Sequence, residues 1–159
     1  MSCERTVCRD EDKIKTVRCT MKMLIALDPF GHSHKALDEA VRLAKLQAAE
    51  LIIVAIAETF QDTEHSYVGL EGGGEALVPL AEKKAEDVRN AVLQEGVAPK
   101  IIVQKGTAPA AGILKCAEEE KADLIVMGHR ERKGLDLFIL GSVATKVVTN
   151  ARCSVLVVR

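Results

Sequence analysis

The sequence predicts an α/β domain in which a parallel sheet of five strands lies between layers of helices. Three observations carry that prediction. Short β-branched apolar runs alternate along the chain with longer segments whose apolar residues recur at three- and four-residue spacing. The short runs are continuously apolar, as strands covered on both faces are. At 159 residues the chain is long enough to bury one core and falls in the range of a single domain.

The elements follow in order. Met23 to Leu27 (MLIAL) reads as a buried strand that stops at Asp28-Pro29. Ser33 can cap the next helix, whose stripe is Leu37, Ala40, Val41, Ala44 and Ala48. Leu51 to Ala57 (LIIVAIA) is the second strand, and the polar, glycine-rich stretch from Glu58 to Gly74 is long for a compact domain. A helix from about Glu75 to Glu95 turns Leu77, Leu80, Ala81, Val88, Ala91 and Val92 inward, and Gly96 ends it. Ile101 to Val103 is the third strand. Gly106 and Thr107 lead into a helix striped by Ala110, Ile113, Leu114 and Ala117. Leu124 to Gly128 is the fourth strand. A basic loop precedes a short helix from Ser142, carrying Val143, Val147 and Val148, and Ser154 to Val158 closes the chain as the fifth strand. Crossovers between parallel strands are right-handed almost without exception, but periodicity leaves the strand order open.

Composition narrows the function. The 22 basic and 23 acidic residues nearly cancel, which gives no electrostatic footprint for nucleic acid or an anionic membrane. Three Phe, one Tyr and no Trp leave few rings on which bases could stack. Five cysteines, at 3, 8, 19, 116 and 153, form no CxxC pair and fit a reducing compartment better than a disulfide scaffold. The opening MSCERTVCRDEDKIKTVRCT mixes charges and does not read as a signal peptide, and the run from Leu51 to Ala57 is too short to span a bilayer. The expectation is a soluble, cytoplasmic protein with no nucleic-acid or membrane partner.

Ligands of open parallel sheets sit beyond the carboxyl ends of the strands, where the strand order reverses. The loops that follow Leu27, Ala57, Gln104 and Gly128 are therefore the ones to inspect. The richest is Gly128-His-Arg-Glu-Arg-Lys-Gly-Leu, which continues to Gly141-Ser142 at a helix start. Glycines let backbone amides approach a phosphate, and a helix start directs unpaired N–H groups and a positive dipole end at it. Arg130, Arg132 and Lys133 add charge nearby. Ser142 could cap its own helix or donate to a phosphate, and a plain glycine turn with an N-cap accounts for the same residues.

These segments resemble the universal stress protein family. IVMGHRERKGLDLFILGSVATKVVTNARCSVLVV is similar to that family's carboxyl-terminal signature, in which nucleotide-binding members carry Gly-x2-Gly-x9-Gly-[Ser/Thr]. KGTAPAAGILKCAEEEKADLIVMG and MLIALDPFGHSHKALDEAVRLA resemble its middle and first segments, so the likeness runs from about Met21 to Arg159, after an extension of residues 1–20. The resemblance implies a five-stranded doubly wound, Rossmann-like sheet and a homodimer joined through the last strand, at Val155 and Val157. It also implies ATP or a related adenine nucleotide with Mg²⁺, acting as a conformational signal in a stress-response regulator. Carried over by position, Gly128, Gly141 and Ser142 match the phosphate motif, Val143 follows at the helix start, and Arg130 lies in the loop. Asp28 matches the aspartate near ribose and adenine, Ile56 the position whose backbone meets the base, and Met127 with Gly128 the pocket floor. One position departs: the motif's second glycine is Glu131. Its carboxylate would repel phosphates and its Cβ would crowd a close backbone approach. Either Glu131 turns to solvent and binding persists in weakened form, or the chain is a nucleotide-free dimeric interaction module.

Other chemistry is poorly represented. Neither GxxxxGK[ST] nor Gly-x-Ser-x-Gly occurs. No residue set for in-line attack by water is evident, so no catalytic residue is assigned and ATP hydrolysis is at most slow. His32 and His34 read as an exposed capping loop. His129 could meet an anion or simply be solvated, and His65 carries no legible role. Cys3, Cys8 and Cys19 match no zinc spacing. Cys116 and Cys153 read as small packing residues, and Glu118-Glu119-Glu120 as a solvated helix end.

Overall fold

The computed structural model describes residues 20–28, 34–58, 77–129 and 140–159. Nine elements alternate through these residues: β1 (Lys22–Leu27), α1 (His34–Gln47), β2 (Glu50–Glu58), α2 (Leu77–Gln94), β3 (Lys100–Gly106), α3 (Pro109–Glu120), β4 (Leu124–Gly128), α4 (Ser142–Asn150) and β5 (Ser154–Val158). The strands form one sheet in the order β3-β2-β1-β4-β5, and every neighbouring pair is parallel. The chain winds outward from β1 in one direction to β3, then returns to the other side of β1 for β4 and β5. The doubly wound α/β fold is thus present, with its reversal between β1 and β4.

Alternation along the strands divides the core in two. Met23, Ile25 and Leu27 of β1 join Leu51, Ile53 and Ala55 of β2 beneath α1 and α2. Leu24 and Ala26 join Ile52, Val54, Ile56, Ile125 and Met127 beneath α3 and α4. Because Met23–Leu27 of β1, Leu51–Ala57 of β2 and Leu124–Met127 of β4 are continuously apolar, each supplies side chains to both faces. This is why they read as unbroken runs.

Three helices stop through the same device. Ala48, Gly96 and Lys121 have φ of 49°, 81° and 56°. In each case the next amide bonds back five residues: Ala49 N–H to Ala44 O at 3.0 Å, Val97 N–H to Val92 O at 3.2 Å, and Ala122 N–H to Ala117 O at 2.9 Å. Only one of the three uses the residue type that adopts this conformation readily.

Several sequence expectations are corrected. Ala48 is not on the buried stripe of α1; it is the exposed left-handed residue that ends the helix. On α2, Leu80 is 47% exposed and Ala91 is exposed, whereas Ala85 is buried in the stripe Ala81, Ala85, Val88, Val92. The helix places every fourth or third residue inward, and its period runs through Ala85, not Leu80. Val148 of α4 is likewise 47% exposed, and Ala144 takes the buried place beside Val147. Cys116 is buried on α3, while Leu114 only borders the core. The acidic run at the end of α3 is solvated as expected at Glu118 and Glu119, and it also makes surface ion pairs: Glu118 with Arg152 at 3.4 Å, Glu119 with Lys115 at 3.7 Å and Glu120 with Lys100 at 2.7 Å. β3 runs from Lys100 to Gly106, longer than the three apolar residues predicted, because its ladder with β2 continues through Gln104 and Lys105. Ser33, His32, His65, the first three cysteines and residues 59–76 lie outside the described residues.

Candidate functional site

The reversal of strand order brings together the carboxyl ends of β1 and β4. Their ladder closes with Ala26 opposite Met127, so Leu27-Asp28 and Gly128 leave the sheet side by side. Asp28 is half-buried at the end of β1, where the strand's apolar run stops. Met127 is 5% exposed and contributes to the core beneath α3 and α4. Gly128 pairs with Val158 of β5, and the His129 amide donates to the Val158 carbonyl at 2.9 Å. The start of the loop after β4 is therefore tied down by backbone bonds.

β2 extends past this level. Its ladder with β1 ends at Leu27–Ala55, while its ladder with β3 continues from Ile56–Gln104 to Glu58–Gly106. Ile56 thus stands beyond the last β1 partner, with its side chain buried under α3 and its backbone beside the exit of β1. By register Ile56 stands level with Asp28 on one side, while on the other Met127 lies opposite Ala26, two residues deeper in the sheet.

The helix start above β4 differs from the local expectation. Gly141, with φ −55° and ψ 155°, is the N-cap of α4, and no side chain caps it. Ser142 is the first helical residue and is exposed, so its hydroxyl does not cap its own helix. Thr145 does the local work: its amide donates to Gly141 O at 2.9 Å and its hydroxyl to Leu140 O at 3.0 Å. Val143 and Leu140 are half-buried against the same cluster that holds Met127 and Ile56. The ladders bring Asp28, Ile56, Met127 and Gly128 to the carboxyl edge of β1, β2 and β4, and Leu140 and Val143, on either side of Gly141 and Ser142, pack on the core that holds Ile56 and Met127. Arg130 and Glu131 lie outside the described residues.

Two contributors were missed from sequence. Gly106 and Gly112 both lie over the Ile56 side chain: a Cβ on Gly112 would stand 2.8 Å from Ile56 Cδ1, and one on Gly106 would stand 3.8 Å from Ile56 Cγ2. A lone glycine within a helical stripe is the signal that could have found Gly112. The two described cysteines offer no nucleophile here. Burial pushes the Cys116 thiol up to about 11, helped by Glu120 and Glu119, and burial also raises Cys153. Among the described residues no cluster of three His, Cys, Asp or Glu could hold a metal ion, and no helix is long and apolar enough to cross a membrane.

Comparison with known proteins agrees with this architecture. The sequence model of the universal stress protein family matches residues 20–159. The universal stress protein YxiE of Bacillus subtilis strain 168 is 38% identical over 152 residues, a match covering 87% of this chain and 98% of that one. A universal stress protein of Thermus aquaticus is 38% identical over 138 residues, covering 86% of this chain and 97% of that one. Among solved structures, a universal stress protein from Archaeoglobus fulgidus in complex with dAMP superposes with a TM-score of 0.64 at 21% identity, covering 87% of this chain and 98% of its own. Sheet order, matched length and identity agree: the chain belongs to the universal stress protein family.

Proposed function

We propose that this protein binds ATP or a related adenine nucleotide at the crevice between β1 and β4, and uses it as a conformational signal in stress regulation. The observation that carries the reading is the start of α4. With Gly141 as cap and Ser142 at the first helical position, the Ser142 hydroxyl and the first α4 amides can meet phosphate oxygens together. Gly128 and Met127 would floor the phosphates, Val143 would add its amide, Arg130 would supply positive charge, and Asp28 would accept from the ribose. The Ile56 backbone, past the end of β1, would meet the base. Mg²⁺ would arrive bound to the phosphates, since this ion retains waters and takes much of its coordination from phosphate oxygens. That a protein of this fold has been solved with dAMP supports the fold's capacity to hold an adenine nucleotide. In this reading the nucleotide acts as a signal, and its hydrolysis is at most slow. Acid release from freshly purified protein, followed by chromatography, should yield adenine nucleotide in an amount comparable to protein. A preparation that yields none, and that retains none after incubation with Mg-ATP and gel filtration, contradicts the reading.

A second reading, a nucleotide-free dimeric module, is favoured by the open edge of β5. The Ser154 amide donates to Asp123 O at 3.3 Å and Val158 O accepts from the His129 amide, so these residues turn their backbone towards β4. Strand alternation then turns the backbone groups of Val155 and Val157 towards the sheet edge, where a second copy could pair. Nucleotide binding and dimerisation are compatible. Only a dimer with no retained nucleotide selects the second reading.

A further inference from the structure

Gly112 sits in the second turn of α3, and its amide donates to Ala108 O at 3.1 Å as an ordinary helical residue does. Positive φ is confined to Gly96 among the described glycines, so conformational freedom does not account for Gly112. Glycine is also the poorest helix former after proline. What distinguishes the position is distance. A Cβ there would meet Ile56 Cδ1 at 2.8 Å, Cγ1 at 3.3 Å and Cγ2 at 3.6 Å. Ile56 is 6% exposed and packed with Leu24, Val54 and Ile113, so little space remains for it to move sideways. A side chain at Gly112 therefore turns the tip of Ile56 aside or, where the packed core denies that tip room, lifts α3 or pushes on the carboxyl end of β2.

We propose that Gly112 is a positioning residue for the base: by letting α3 close onto Ile56, it fixes where the Ile56 backbone stands at the crevice. This rests on the nucleotide reading above. Gly112 touches no ligand and acts only through Ile56, so its substitution should affect recognition of the base and spare that of the phosphates. Titrations with ATP and with UTP separate the two, because the ligands share ribose and triphosphate and differ in the base.

Gly112→Ala is expected to weaken ATP about tenfold, the lower end of an overpacking penalty, and to change UTP affinity less than about threefold. Adding Ile56→Val, which deletes the atom at 2.8 Å, should restore most of the ATP affinity. An unchanged ATP affinity in Gly112→Ala overturns the proposal, as does an equal loss for both nucleotides or a double variant with no recovery. If the single variant does not fold, the double variant decides: near-native ATP affinity supports the proposal and a tenfold deficit overturns it. A wild-type protein that takes up neither nucleotide overturns the nucleotide reading itself, and this proposal with it. That outcome is distinct from an unaffected Gly112 variant.

Discussion

At the start of α4, Thr145 closes the first turn where sequence statistics would give that task to Ser142. Serine is a preferred N-cap, yet here the cap is Gly141 and the first turn is held by Thr145. Ser142→Ala should therefore weaken ATP binding several-fold while moving the melting temperature by only about a degree or two, because its hydroxyl closes no helical bond. Thr145→Val should do the reverse, lowering stability by about 1 kcal/mol with the loss of one hydrogen bond. Denaturant unfolding paired with nucleotide titration separates the two. Cys116 gives a prediction in pH. Its thiol pKa is raised to about 11, so the folded state holds the proton above the range where an unfolded thiol loses it. That contribution to stability is complete below about pH 8.5 and is lost as pH rises towards 11, on the order of 2 kcal/mol in all. Unfolding of the wild type should steepen with pH across this window relative to Cys116→Ala, and equal slopes would remove the claim. Candidate residues could be picked out from sequence because glycine, serine and aspartate carry their chemistry in one letter. Their local roles could not be, since capping depends on which residue takes the first helical dihedral.

The helix ends give the clearest prediction at the level of elements. Ala48 holds a left-handed conformation that costs an L-residue roughly 1 kcal/mol or more, and Gly96 fills the same place at the end of α2 without strain. Ala48→Gly should stabilise the protein by about 0.5–1 kcal/mol, the strain relieved less the extra freedom gained by the unfolded chain. A destabilised variant in urea unfolding would contradict this. For β5, Val157 presents its backbone to the edge while its side chain borders the core under α3 and α4. A charged side chain there would disturb packing as well as pairing. Val157→Pro is the cleaner probe, because it removes an edge-facing N–H and proline is tolerated at edges. If β5 joins two copies, this variant should sediment as a monomer with its fold retained; a persistent dimer would place the interface elsewhere. The bounds of β4 and β5 were legible to the residue. Those of β3 were not, because Gln104 and Lys105 pair with β2 without being apolar. The inward face of α2 was misread at Leu80, since a leucine outweighs an alanine in any hydrophobic count although the period favours Ala85.

Across the whole molecule, one consequence of topology dominates: β1 lies at the centre of the sheet and beside the reversal. It is buried on both faces, so Leu24→Ala or Ile25→Ala should cost about 2–5 kcal/mol, whereas Leu46→Ala, at a position 70% exposed, should fall within about 0.5 kcal/mol. The alternation of strand and helix made the layers legible. Strand order was not, because a buried strand looks alike whichever neighbours it pairs with, and only the β1–β4 ladder shows where the crevice opens. That ladder ends beside Asp28 and Gly128, where the proposed function needs a polyanion to be held. Isothermal titration of the protein with ATP in the presence of Mg²⁺ tests this most directly. Saturable binding is expected near one nucleotide per chain with Kd below about 1 mM, equivalent to about −4 kcal/mol, and weakened in Ser142→Ala. The absence of any binding heat at millimolar ATP, from protein freed of bound nucleotide, would contradict it.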